Sequence, residues 1–257
     1  MVNNFPYTID NKRYHTLTYF YQHKFGCKIA KVSLNANFSC PNIDGTKSYG
    51  GCIFCSKSGS GDFAGDVNDS LMMQFIKGKK LMQNKWPNAK FIAYFQARTN
   101  TYADVDTLEK YFEPFINNKD CVGLAIATRS DSISDSCLDY LESISKRCYL
   151  QVELGLQSSK KETLKLINRG ETVEEFETMV NKLRARNINV VIHIINGLPY
   201  ETDNDMLDTV KYLNKLDIQG IKIHMLHILK DTPLEIMYKN HPFKVQADSQ
   251  MKDRQMV

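Results

Sequence analysis

From Ile29 onward, short apolar runs alternate with amphipathic stretches. Residues 29–34, 91–96, 122–127, 149–156, 190–195 and 221–228 read as strands. Most are near-continuous apolar runs, the pattern of parallel strands covered by helices. Between them the period lengthens. Ser134 caps a helix that turns Leu138, Leu141 and Ile144 inward. Thr172 with Glu175 forms a capping box ahead of Phe176, Met179, Val180 and Leu183, and Thr202 with Asp205 opens another helix carrying Met206, Val210 and Leu213. An aromatic-rich segment, 14–25, predicts a further helix before the first strand.

Six strands, each followed by a helical segment, imply right-handed crossovers and an α/β fold with parallel strands. Six is too few to close an eight-stranded barrel. An open (β/α)6 partial barrel of the TIM type and a doubly wound sheet both satisfy the pattern. No repeat, low-complexity tract or linker divides the chain, so residues 1–243 read as a single domain with its core at about 29–230. Residues 244–257 are polar and aperiodic, an irregular tail with truncation as one reading.

Composition narrows the class without naming it. The 257 residues are 42% hydrophobic and 24% charged, the mix of a globular protein. No stretch approaches the ~20 apolar residues that span a bilayer, and the first residues lack a secretory pattern, so a cytoplasmic location and no membrane partner are expected. A net charge of +4 permits a nucleic-acid partner without arguing for one, and no DNA partner is expected. Local basic clusters, Lys77–Lys80, Lys160–Lys161 and Lys182 to Arg186, read equally as solvated helix faces.

The seven cysteines carry more information. In a reducing compartment a disulfide framework is a poor reading. Cys121, Cys137 and Cys148 lie in apolar segments and read as small buried side chains. Cys40, Cys52 and Cys55 instead fall in a loop rich in Gly, Asn and Pro, placed after the first strand, where a thiol has no packing task. A lone C-x2-C pair often means zinc, yet structural zinc sites are closed by four protein ligands. Here eleven residues separate Cys40 from Cys52, and no fourth Cys or His follows nearby. A [4Fe–4S] cluster is normally held by four thiolates, so three leave one iron open to a cofactor. Gly45, Gly50 and Gly51 permit the positive φ values that bend a chain around a cluster, and Phe54 offers an aromatic face beside it. A zinc-stapled loop with a distant His, unliganded thiols, or Cys27 as a fourth ligand are the alternatives.

Three cysteines ending in C-x-aromatic-C, after the first of six βα units, resemble the radical S-adenosylmethionine (radical SAM) superfamily. Its commonest spacing is C-x3-C-x2-C. The longer C-x11-C-x2-C insertion, with Lys-Val-Ser-Leu before it and Cys-Pro-Asn inside it, resembles the bacterial branch related to the Elongator catalytic subunit. The likeness covers about residues 10–243. It implies a [4Fe–4S] cluster on Cys40, Cys52 and Cys55, S-adenosyl-L-methionine on the open iron, and an electron donor such as flavodoxin or ferredoxin.

Further motifs fit that likeness with departures. Where the superfamily carries a Gly-Gly-Glu turn at the second strand's end, this chain has Phe95-Gln96-Ala97, leaving Gln96 and Thr99 as candidates for the cofactor's amino group. The segment Thr128-Arg129-Ser130-Asp131 is similar to a Thr-Arg-Pro-Asp of the branch, with Ala127 where Elongator-like proteins have Glu. Arg129 is a candidate for a carboxylate or phosphate contact, or for a salt bridge fixing its loop. Gln157, with Arg169 twelve residues on, matches a pair that coproporphyrinogen-dehydrogenase-type enzymes place on the cofactor's ribose and carboxylate; an amide and a planar guanidinium suit those groups. His193 stands at the first Gly of a Gly-x-Ile-x-Gly stretch that lines the adenine pocket, though a lone strand His also reads as a satisfied core residue. Glu153 is a buried acid in need of a partner, or faces a helix end. His224 and His227, three apart on a strand, point to opposite faces and cannot share one metal, whereas Lys222 shares a face with His224.

The resemblance implies a radical enzyme. In this branch it points to transfer-RNA modification, converting a carboxymethylaminomethyl group at C5 of the wobble uridine to aminomethyl. A radical enzyme acting on a peptide or small metabolite, or a metal-binding module without catalysis, are the competing readings. No acetyltransferase domain and no second cysteine cluster appear. Relatives continue past the point where this chain loses its pattern, which puts the completeness of its C-terminus in question.

Overall fold

The computed structural model describes residues 5, 8, 11–59, 61 and 63–245. Six strands, β1 (Ile29–Leu34), β2 (Lys90–Phe95), β3 (Cys121–Thr128), β4 (Tyr149–Gln157), β5 (Asn189–Asn196) and β6 (Gly220–Met225), form one sheet in chain order. All five neighbouring pairs are parallel. A doubly wound sheet reverses its strand order at a switch point; this one never does, which selects the open (β/α)6 half-barrel.

Side chains show how strongly it curls. Strands three apart in a flat sheet stand about 14 Å from each other, and four apart about 19 Å. Yet Lys31 of β1 bonds Glu153 of β4, and Lys222 of β6 reaches the hydroxyl of Tyr94 on β2 at 3.1 Å. The concave face is therefore a lumen crossed by polar side chains.

Alternation decides which residues face it. Leu150, Val152, Leu154 and Leu156 of β4, with Val190, Ile192 and Ile194 of β5, join the main core on the convex face. The helices α2 (Leu71–Lys85), α3 (Val105–Ile116), α4 (Asp135–Ser145), α5 (Lys161–Leu166), α6 (Val173–Ala185), α7 (Asp203–Leu213) and α8 (Pro233–Asn240) follow the strands, and the core takes in Phe75, Phe112, Leu141, Phe176, Leu213 and Leu234 from six of them. Ser134, Thr172 and Thr202 cap α4, α6 and α7 as expected, the last two with full capping boxes.

The first helix plays another part. α1 (Leu17–Phe25) starts three residues later than expected because the Thr16 hydroxyl accepts from Tyr19 N–H and fixes the cap there. It lies on the concave side, where Tyr21 joins Ile29, Ile92, Tyr94 and Ala125, and Phe25 meets Tyr149 edge-on at 5.5 Å. Ile29 and Tyr149 open their strands while Ile92, Tyr94 and Ala125 lie further along theirs, so α1 floors the lumen from its amino-terminal end inward. β6 ends at Met225, three residues short of expectation, because β5, its only partner among the described residues, stops at Asn196 before Gly197 turns with φ 82°. Of the tail, residues 244 and 245 are irregular, and 246–257 lie outside the described residues.

Candidate active site

The cysteine loop leaves the carboxyl end of β1 and is folded before any cofactor is considered. The Cys40 carbonyl accepts from Ile43 and Asp44 N–H, Pro41 O accepts from Lys47 N–H, and Asp44 pairs with Tyr49 in a small antiparallel bridge. Gly45 makes this turn with φ 92°, and a Cβ there would lie 2.4 Å from the Tyr49 ring. Cys55 N–H then closes on Cys52 O at 3.0 Å. Cys52 is buried, whereas Cys40 and Cys55 are half-buried.

A second segment, 167–171 after α5, holds this loop from beneath. Ile53 N–H donates to Ile167 O, and the Asn168 amide donates to Tyr49 O at 3.0 Å and Gly51 O at 2.8 Å. Ser48 donates to Asn168 Oδ1 at 2.9 Å. Asn42, fully buried, donates to Asn168 O and points the same amide at Cys52 Sγ, 3.5 Å away. Sequence reasoning missed both asparagines. Their signals were the segments Cys-Pro-Asn and Ile-Asn-Arg-Gly, since Asn is among the few side chains that tolerate the left-handed backbone found at 168 (φ 52°).

Arg169 brings its guanidinium to the same place. Nη2 donates to Gly155 O at 2.6 Å and pairs with Glu171 at 2.7 Å, while Nη1 points at Cys52 Sγ from 3.8 Å. The Cys52 thiol is drawn down to about 5, first by its hydrogen bond with Cys55 and then, against the opposing effect of burial, by Arg169 and Arg129. Arg129 itself is a buried structural cation. It grips Asp131 with Nε at 2.8 Å and Nη2 at 2.6 Å and donates to Arg169 O at 2.9 Å, which favours the loop-fixing alternative. Glu171 accepts from Ser130 N–H and hydroxyl.

Gln157 ends β4 in the left-handed region, φ 73°, beside the register shift between β4 and β5. Its Oε1 is buried without a hydrogen-bond partner, as is Nε of Arg169. A Cβ on Gly155 would fall 2.7 Å from the Gln157 amide nitrogen and 3.3 Å from Arg169 Nη2, so glycine makes room for these two side chains. An orphaned acceptor and an orphaned donor beside a buried thiol fit a polar cofactor there. Gln96 is half-buried just past β2; Thr99 is buried next to Asn100, whose amide ties Phe95 O to Ala127 O. Phe54 packs half-buried against the main core. Three soft thiolates from one loop suit an iron–sulfur cluster. Among the described residues no three Cys, His, Asp or Glu side chains already converge as a metal set; the contact drawn is Cys52 with Cys55.

His193 lies lower than the mouth. In the lumen its Nε2 meets Glu153 at 2.7 Å, and its Nδ1 meets Nε2 of His224 at 3.3 Å. Glu153 thus has its partners: Lys31, Gln151 at 2.7 Å, and His193. Lys222 and His224 both face the lumen, as their shared parity required, and His227 is exposed beyond β6.

Comparison with known proteins bears on this arrangement. A profile of the Radical SAM superfamily matches residues 48–213. Protein YtqA of Bacillus subtilis is 50% identical over 237 residues, covering 92% of this chain and 74% of YtqA. A tRNA uridine(34) acetyltransferase of Methanocaldococcus infernus is 30% identical over 127 residues, 48% of this chain and 23% of that protein. Among solved structures, the archaeal Elp3 of Methanocaldococcus infernus with an N-terminal deletion superposes with a TM-score of 0.63 at 19% identity, covering 85% of this chain and 50% of that one; it shares the fold. The profile match takes in Cys52, Cys55, Gln157, Arg169 and His193, and with it the chain belongs to the radical SAM superfamily, whose cofactors are a [4Fe–4S] cluster and S-adenosyl-L-methionine.

Proposed function

We propose that this chain is a radical SAM enzyme acting on transfer RNA, trimming a carboxymethylaminomethyl group at C5 of the wobble uridine to aminomethyl. The observation that carries the enzymatic reading is the orphaned pair, Gln157 Oε1 and Arg169 Nε, the second on a guanidinium that reaches to 3.8 Å from Cys52 Sγ. When bound, the cluster and S-adenosyl-L-methionine supply an electron and a carbon-centred radical that removes hydrogen from substrate. Cys40, Cys52 and Cys55 hold the cluster. Gln157 accepts from ribose hydroxyls, and Arg169 offers its Nε–H to the carboxylate. Gln96 and Thr99 line the amino side. Arg129 positions Arg169 through its carbonyl, and α1 with the aromatic floor excludes water from below.

The substrate rests on resemblance and on relatives named for tRNA chemistry, among them the uridine(34) acetyltransferase and a tRNA-2-methylthio-N(6)-dimethylallyladenosine synthase of Fusobacterium nucleatum, 31% identical over 103 residues. A reductant is required, and flavodoxin or ferredoxin suits the role. The test is anaerobic reconstitution with S-adenosyl-L-methionine and dithionite. Release of 5′-deoxyadenosine is expected, and its absence with full iron loading sinks the enzymatic reading. Nucleoside profiles of tRNA from cells with and without the gene test the substrate. An unchanged profile sinks the tRNA assignment alone.

A further inference from the structure

The middle of the lumen carries more polar chemistry than packing requires. Six side chains from five strands meet there: Lys31 (β1), Tyr94 (β2), Glu153 (β4), His193 (β5), and Lys222 and His224 (β6). One carboxylate faces two ammonium groups, and they do not share it equally. Oε1 of Glu153 takes Lys31 and the Gln151 amide, and Oε2 takes His193 at 2.7 Å. Lys222 stands 3.9 Å from that carboxylate, outside hydrogen-bond reach, and donates once, to Tyr94 Oη at 3.1 Å. An ammonium has three N–H donors. Lys222 is thus the surplus cation, and its side chain is 39% exposed against 19% for Lys31.

The histidines add direction. An ionised carboxylate only accepts, so His193 must donate from Nε2, and its Nδ1 is then an acceptor. His224 donates to that nitrogen from its own Nε2, which leaves Nδ1 of His224 as a fixed acceptor. Lys222 and His224 are two residues apart on one strand, so they share a face with Cα atoms about 7 Å apart. The lumen therefore presents a cation seeking an anion beside an acceptor seeking an N–H.

We propose that Lys222 and His224 form a seat for an N-substituted glycine group, with the carboxylate on Lys222 and the amine N–H on Nδ1 of His224. This deepens the substrate reading, since a carboxymethylaminomethyl arm is such a group. It places Glu153 and His193 as positioning residues that fix the His224 tautomer. It also gives the open edge strand β6 a task in recognition.

The probe is N-methylglycine, followed on the ring signals of His224 in the full chain carrying its oxidised cluster, at constant ionic strength. Dimethylamine, without a carboxylate, and acetate, without an amine, are the comparisons. A saturable shift with an apparent Kd of about 10 mM or tighter is expected from N-methylglycine, and weaker responses from both comparisons. Lys222→Met should weaken it at least about tenfold, as loss of a charged hydrogen bond does. Lys222→Arg should recover part of it, while iron content and melting temperature report that each variant is folded and loaded. No saturable shift, an equal response to dimethylamine, or an undiminished response in folded Lys222→Met overturns the seat. An unchanged tRNA profile with binding intact overturns the tRNA reading and leaves the seat standing. Modified tRNA without a response to N-methylglycine does the reverse.

Discussion

Glu153 is the residue on which the lumen turns. Its side chain has no exposure, and its pKa is held well below the ordinary carboxylate range, against the opposing effect of burial, by His193, Lys31 and Lys222. Replacing it with Gln leaves the half-buried Lys31 ammonium without its counter-charge; a fully buried pair loses about 3 kcal/mol on such a change, and the partial exposure of Lys31 makes that the upper value. Urea denaturation at pH 7 measures it. The pH dependence has a definite sign. A carboxyl whose folded pKa lies below its unfolded value stabilises fully above the unfolded value, near 4.5, and loses that contribution as pH falls further. His224, pushed down to about 3 by burial and by His193 and Lys222, works in the same direction, because the unfolded chain takes up its proton near pH 6.5 first. Wild-type stability should fall on acidification from 6.5, and Glu153→Gln should be the flatter of the two below 4.5. A parallel pair of curves would sink this account. That Glu153 needs a partner is legible in an apolar strand. Which partner is not, because Lys31 and His193 reach it only through the curl and the register with β5.

At the scale of elements, the apolar runs located every strand, and the caps located α4, α6 and α7, because those signals are local. β6 ran short for a non-local reason, the end of its neighbour. The loop latch was equally hidden: Asn168 lies 119 residues from Tyr49, to which it donates, and no period links them. The latch has a measurable consequence. Asn168→Ala removes two donors and one acceptor from the loop that carries the cysteines. Groups that orient metal ligands from behind typically contribute 10–100-fold in metal affinity. The variant should lose iron to a chelator about tenfold faster than wild type after anaerobic reconstitution, with its far-ultraviolet dichroism unchanged. Equal rates would mean that the thiols need no such support.

The whole molecule is an unclosed sheet with its chemistry on the inside, and many of the charges on its outer helices are paired. Half-barrel and doubly wound sheet share one βα alternation, so periodicity left them undivided, and only strand order and the contacts across the lumen separate them. The basic clusters resolve in the same way. Lys77 pairs with Asp69, Lys161 with Glu174, Lys182 with Asp135, Arg184 with Asp217 and Arg186 with Asp139, all between 2.6 and 3.1 Å. A phosphate must displace an acid from each of these cations, so each contact releases less counter-ion than a free lysine would. With a net charge of only +4, the summed field that would draw an RNA backbone is weak. On the proposed tRNA reading, recognition should then rest on a base drawn toward the lumen rather than on many phosphates. The log–log dependence of tRNA affinity on salt should have a slope no steeper than about −3, against roughly −0.7 for each phosphate neutralised on single strands. Titration of labelled tRNA between about 50 and 200 mM salt measures it, over which such a slope loses less than about 100-fold in affinity. A slope near −6 would mean that the paired helix cations give up their acids to the RNA backbone, and that the lumen is not where most of the binding is made.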